Sequence, residues 1–203
     1  MMAARKPVKR IIETEWHLQP VARLLPLDEN RARRELSEIA DAAEEEGLPR
    51  LAKFLGAEGT VQDLLAAVFD LSPFLRDVAR RRPGILDQLF DANVEARLIA
   101  IGEAIGKAAF ADSVSETSLM MELRLCKAEA HFLIALADLA GEAEPALTVR
   151  RLSDLADACT RAAVDFLLRD AHGQGKLELP DPENPRASPA GSCSAWASSA
   201  RMN

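Results

Sequence analysis

The chain contains no tyrosine, two tryptophans and seven phenylalanines, so aromatics make up only 4% of its 203 residues. Strands favour β-branched and aromatic side chains, so this scarcity argues against a β fold. The three cysteines, Cys126, Cys159 and Cys193, are odd in number and far apart. They fit neither a disulfide framework nor a C-x-x-C metal knuckle. No apolar run approaches the roughly 18 residues that would span a bilayer, so no membrane helix is expected. The N-terminal Arg5, Lys6, Lys9 and Arg10 are not followed by a long apolar stretch, which excludes a secretory signal and leaves the cytoplasm as the expected location. Basic residues are outnumbered 25 to 32, net charge is −7 and the pI is about 5.1, which argues against a dedicated nucleic-acid binder. No repeat of fixed period is visible, so a solenoid is not expected.

What is abundant is Ala and Leu, within a hydrophobic fraction of 48%. These two residues lead the helix scale, and the chain reads as all-α, a multi-helix bundle of about seven helices with a disordered C-terminal tail. Residues 1–27 form a basic, loosely ordered arm broken by Pro7, Pro20 and Pro26, able to dock through Ile11, Ile12, Trp16 and Leu18. Residues 28–175 form the helical domain. Asp28 supplies a short acceptor side chain for a first helix ending at Gly47, and Pro49 starts a short one closed by Gly56. Thr60-Val-Gln-Asp63 resembles a capping box. Ser72-Pro73 places a cap before a proline at the first helical position, with Phe74, Leu75 and Val78 following on one face. Pro83 breaks that helix and begins another, with Ile85, Leu86, Leu89 and Phe90 inward. A helix from about Val94 to Phe110 buries Leu98, Ile101 and Ile105, and Gly102 and Gly106 could admit a close neighbour. Ser115 caps a helix that runs to Ala140 and is apolar on most sides, hence buried on most sides. Thr148 caps the last long helix, with Leu152, Leu155, Ala156, Cys159, Ala163, Phe166 and Leu167 inward.

Residues 176–203 change character. Lys176-Leu-Glu-Leu179 could form one short strand, and Pro180, Pro182, Pro185 and Pro189 then oppose regular structure. Residues 187–203 contain no Leu, Ile, Val, Phe, Asp or Glu. They cannot bury enough apolar surface to offset the entropy of ordering.

Candidate chemistry is sparse. The histidines are His17, His131 and His172. His131 lies near Cys126 and Glu129 in sequence, but offsets of five and two do not bring all three to one helical face. Cys159 reads as a small core filler, and no Ser-His-Asp or Cys-His constellation is visible. Asp154, Asp157, Glu142 and Glu144 read as helix-terminal acids on a solvated face. No Gly-rich loop is followed by a strand with the paired carboxylates that nucleotidyl transfer uses to hold two metal ions. The one partner-docking candidate is Arg80-Arg81-Arg82 at a helix C-terminus, where three cations either complement the helix dipole or receive an acidic partner or phosphate. On these residues alone, the chain is a helper or a stand-alone helical protein–protein interaction module.

Two stretches carry a resemblance. Leu71-Ser-Pro-Phe-Leu-Arg-Asp-Val-Ala-Arg-Arg-Arg-Pro-Gly-Ile-Leu-Asp-Gln-Leu-Phe90 is similar to the N-terminal helical region of the bacterial glutamine synthetase adenylyltransferase/adenylyl-removing enzymes. Ile134-Ala-Leu-Ala-Asp-Leu-Ala-Gly141 and Leu152-Ser-Asp-Leu-Ala-Asp157 look like the two helices before that family's first nucleotidyltransferase core. The resemblance covers roughly residues 50–180. It departs at Leu125-Cys126-Lys127-Ala128-Glu129, where the family is often richer in Arg.

The resemblance implies that a G-M-G-K-x-G-x-x-E-L strand and a catalytic S-D-x-D element should follow. The chain instead reads Gly191-Ser-Cys-Ser-Ala-Trp-Ala-Ser-Ser-Ala-Arg-Met-Asn203. Reading the third base of each codon with the first two of the next makes Trp196-Ala197 a Gly and Met202-Asn203 a Glu, whatever synonymous codons are used. Their separation is that of the first Gly and the Glu in G-K-x-G-x-x-E. Ala195-Trp196 must read Met, Val or Leu; Cys193-Ser194 permits Leu and Ser199-Ala200 permits Gly. The sequence is therefore expected to be out of frame from about residues 187–191. The chain would be the truncated helical portion of a nucleotidyltransferase, inactive alone and without catalytic, cofactor or metal residues of its own. By resemblance, ATP and magnesium belong to the missing core, and the partners are glutamine synthetase and the PII signalling protein. A fragment of this kind should expose apolar surface on its last two helices, whereas a finished interaction module should be polar there.

Overall fold

The computed structural model describes residues 16–21, 23–111 and 114–187. Among them there is no strand. Eight helices follow in order: α1 (Glu29–Glu45), α2 (Pro49–Leu55), α3 (Thr60–Leu71), α4 (Pro73–Arg81), α5 (Gly84–Asp87, continued by a 3-10 turn at Gln88–Phe90), α6 (Val94–Ala108), α7 (Glu116–Ala140) and α8 (Pro145–Gly173). The all-α expectation holds, with one helix more than about seven. Most of the C-terminal tail, residues 188–203, lies outside the described residues, as do Ile11 and Ile12 of the arm.

The chain divides into two compact units, Met1–Leu98 with Ala128–Arg151, and Ile99–Lys127 with Leu152–Asn203. The division falls inside α6, α7 and α8.

In the first unit, α1 packs on α2, α3 and α4. Every residue of α3 from Val61 to Asp70 is buried except Asp63, so α3 is the central helix of this unit. Local chemistry sets several boundaries. Asp28 accepts the Asn30 and Arg31 amides at the start of α1, and Ser72 accepts the Leu75 amide at the start of α4. Asn93 Oδ1 accepts the Ala96 amide at the start of α6. Gly47 and Gly141 stop α1 and α7 with φ of 75° and 78°, a backbone region that favours glycine. The unit also buries Trp16 and Leu18 from the segment before α1, and all the apolar side chains of Phe132–Ala137 that face inward from α7. Trp16 stacks on Phe54 at 4.7 Å and meets Phe90 edge-on at 5.0 Å.

Asp70, near the C-terminus of α3, joins the entry of α1 to the core. It accepts the Leu27 amide at 2.7 Å, the Asp28 amide at 3.2 Å, and the Arg31 guanidinium. The Arg31 hydrogen bond, aided by the two amides, holds the Asp70 carboxyl below its ordinary range despite burial. A depressed native pKa stabilises the fold above the unfolded value and is lost as pH falls through the native one. The urea midpoint of the parent is therefore expected to exceed that of Asp70→Asn at pH 7, with the two converging as pH falls below about 4. Urea titrations followed by circular dichroism at several pH values check this; a gap independent of pH would remove Asp70 as the source.

In the second unit, Ile101, Ile105, Leu119, Cys126, Leu155, Ala162 and Phe166 are buried. The segment after α8 contributes Leu179 and Pro185. Several expectations are corrected. Thr60 is the first residue of α3 rather than its cap; Gly59 occupies the cap position with no side-chain bond. The last helix begins at Pro145, and Thr148 donates instead to Asp138 Oδ1 at 2.8 Å. Lys176–Leu179 is not a strand, because the Leu179 amide is taken by His172 and pairs with no neighbouring chain. Pro185–Ala187 forms a 3-10 turn despite the prolines around it. Gly102 and Gly106 admit no close helix: a Cβ built at either meets nothing within 4 Å. On α8, Leu152, Ala156 and Leu167 are exposed, while Leu155, Ala162 and Phe166 are inward. Two apolar stripes lie side by side on this helix, and periodicity alone does not choose between them.

Candidate functional site

The three arginines singled out in the sequence end in three different settings. Arg80 pairs with Glu38 of α1 at 3.0 Å, with both side chains largely exposed. Arg81 is exposed. Arg82 turns inward and donates to Glu129 Oε2 at 2.7 Å. Glu129 lies on α7 with its side chain 10% exposed, and its other oxygen accepts Arg97 of α6. One nearly buried carboxylate thus bridges two guanidiniums, on residues separated by 47 and 32 positions. The basic run is not a uniform docking patch. Arg82 reaches the nearly buried Glu129, Arg80 makes an exposed pair between α4 and α1, and Arg81 is exposed. Exposed ion pairs contribute little, whereas breaking a buried one is costly.

The other candidates also resolve into structural roles. Glu129 is spent on the two arginines, and Cys126 Sγ approaches Glu122 at 3.8 Å in the other unit. Among the described residues no three His, Cys, Asp or Glu side chains converge as metal ligands. His17 is exposed and its amide donates to Leu89 O at 2.9 Å. His131 is half-buried on α7. His172 bonds the backbone beyond its own helix. Burial pushes the Cys159 thiol up, against a smaller opposing effect of Lys127, so the thiol stays protonated rather than nucleophilic. Glu142 accepts the Gln19 amide at 2.6 Å, and Asp157 sits 3.8 Å from Arg161. Neither belongs to a carboxylate pair.

Each unit has a cleft among its described residues. The larger, about 520 Å³, runs between Pro20, Val21, residues 23–26, α1 and α3, with Leu24, Leu25, Pro26 and Leu36 among its walls. Its charges are mixed, Arg23 and Arg33 against Glu29, Glu58 and Asp63. The smaller, about 350 Å³, lies over Gly102 and Gly106 and is closed by Ala158, Ala162 and Pro185. Neither gathers groups for nucleophilic, acid–base or metal chemistry.

Sequence reading missed Arg97 entirely and weighed Glu129 only as a metal ligand. No local pattern marks either role, because the partners come from α4, α6 and α7.

Exposed apolar side chains follow both long C-terminal helices. Met120, Met121 and Leu125 stand out on the first part of α7, and Leu152, Val164 and Leu167 on α8, all within the second unit.

Comparison with known proteins adds what the geometry lacks. The family model for glutamate-ammonia ligase adenylyltransferase matches residues 62–188. The bifunctional glutamine synthetase adenylyltransferase/adenylyl-removing enzyme of Mesorhizobium japonicum is 76% identical over 172 residues, covering 85% of this chain and 17% of the relative. Relatives of the same name from Brucella suis and Rhizobium meliloti are 46% and 38% identical, over 80% and 81% of this chain. The chain spans 16–17% of the length of these relatives. No solved structure matches. A family match over more than half of the chain establishes that this chain belongs to the glutamate-ammonia ligase adenylyltransferase family.

Proposed function

We propose that the chain is the N-terminal helical part of a nucleotidyltransferase that attaches adenylyl groups to glutamine synthetase and removes them, and so regulates nitrogen assimilation. The carrying observation is the 76% identity to an enzyme of that name. In this reading ATP and magnesium are used by a core outside this chain, and the chain by itself is catalytically silent. Glutamine synthetase and a PII protein are the partners, in the cytoplasm. Two features support the silence. The sequence contains no S-D-x-D; its nearest approach, Ser153-Asp154-Leu155-Ala156-Asp157, is part of helix α8. The family match also runs to residue 188, within the span of about 187–191 where the frame is expected to change.

The test incubates the purified chain with glutamine synthetase, ATP and magnesium, and separately with adenylylated glutamine synthetase. No transfer and no AMP release are expected. Either activity would refute the silence. Sequencing the DNA from the Pro185 codon to beyond Asn203 tests the frame; no G-x-x-E-L and S-D-x-D in any frame would refute the shift.

A further inference from the structure

Beyond α8 the chain turns at Gly175, with φ of 68°, and folds back so that Leu179 and Pro185 are buried. Two side chains hold this return. Arg186 reaches Asp165 of α8 at 2.6 Å, and His172 in the last turn of α8 reaches the backbone of residues 177–179. Its Nδ1 lies 3.1 Å from the Leu177 carbonyl oxygen and 3.1 Å from the Leu179 amide nitrogen. One ring nitrogen cannot serve both at once. With a lone pair it accepts the Leu179 N–H; with a hydrogen it donates to the Leu177 oxygen and faces the Leu179 N–H donor to donor.

We propose that His172 is a pH-sensitive clasp on the segment that leaves α8. Neutral, with its hydrogen on Nε2, the ring holds the Leu179 amide. A proton taken from solvent at Nδ1 moves the bond to the Leu177 carbonyl and releases that amide. Leu179 is buried, so its freed N–H has little water to replace the lost acceptor, and the turn loosens on acidification. The charged groups that precede His172 on α8 have other partners, and those of the segment that follows are exposed. On α8, Arg169 donates to Ala109 O and covers the Phe110 ring, and Asp170 accepts from Gln174. On α6, Lys107 pairs with Glu103. Lys176 and Glu178 are exposed on the segment. Both contacts of Nδ1 are to backbone groups, so the proton on the ring decides which of the two bonds forms. The far end of the segment is held separately, by Arg186 on Asp165.

The test is done on the whole chain by NMR between pH 8 and 5. Long-range proton–nitrogen spectra report the ring tautomer, and hydrogen exchange, corrected for its intrinsic pH dependence, reports the Leu179 amide. The expected result is an Nε2–H tautomer at high pH and roughly tenfold loss of Leu179 protection as the ring titrates. His172→Gln, whose carbonyl accepts at every pH, should show no such step. A neutral ring protonated at Nδ1, or Leu179 protection unchanged across the titration, overturns the proposal. The parent chain's tautomer and exchange decide it even if the variant fails to fold.

Discussion

Trp16→Ala is expected to destabilise the first unit by about 3–5 kcal/mol, the range for removing a fully buried large aromatic ring. Trp16 is 2% exposed, although it precedes the first helix by more than ten residues. Its ring completes a triangle with Phe54 of α2 and Phe90 of the 3-10 turn, whose own centroids are 5.2 Å apart. Arg50 closes the outer side, 4.3 Å above the Phe90 ring, and is held there by Asp91 and Asp87. Removing the tryptophan would leave a cavity between two rings already fixed by their neighbours, so little collapse can relieve it. In a chain of this size each kcal/mol moves Tm by about 2–4 °C, so a fall of about 10 °C is expected in thermal melts. Trp16→Phe should cost far less. It keeps a stacked ring and removes an indole N–H that is buried without an acceptor among the described residues. A Trp16→Ala melt within about 2 °C of the parent would show that this segment is not part of the core.

Glu129→Ala is expected to have the next largest effect, about 2–3 kcal/mol. Removing the shared carboxylate takes from Arg82 and Arg97 the partner they hold in common, and breaking buried ion networks typically costs about 3–5 kcal/mol. The lower figure allows for solvent reaching Arg82, whose side chain is 35% exposed. Arg81→Ala should change stability by less than about 0.5 kcal/mol, as an exposed surface substitution does. The triple exchange of Arg82, Arg97 and Glu129 for apolar residues of similar volume should recover most of the loss, because no orphaned charge remains. Urea unfolding of the four chains checks the order. If Glu129→Ala were no worse than Arg81→Ala, the bridging role would fail. The basic run would then again be a candidate docking patch as a whole.

The contrast between these arginines shows how far the sequence reaches. Arg80, Arg81 and Arg82 look alike in one dimension, at the end of a helix before a proline. Which of them reaches a buried carboxylate, which forms a surface pair and which is simply exposed depends on residues more than 40 positions away. Charge patterning within a helix carries no information about such partners. The same holds for Asp70, an apparent interruption in an apolar helix that serves as acceptor for Leu27, Asp28 and Arg31.

The sequence by itself determined the helical class, the stops at Gly47 and Gly141, the caps at Asp28 and Ser72, and the family. These rest on short-range physics: propensity, i to i+3 hydrogen bonds, the steric freedom of glycine, and motifs read in order. Only the tertiary structure decided the rest. It chose which of two adjacent stripes on α8 faces inward, drew Trp16 into the core, and spent Glu129 on two arginines. Each of these depends on which surfaces meet. Contacts between segments far apart in the chain are set by the total apolar area buried and by pairing every buried charge, and no local window contains either quantity.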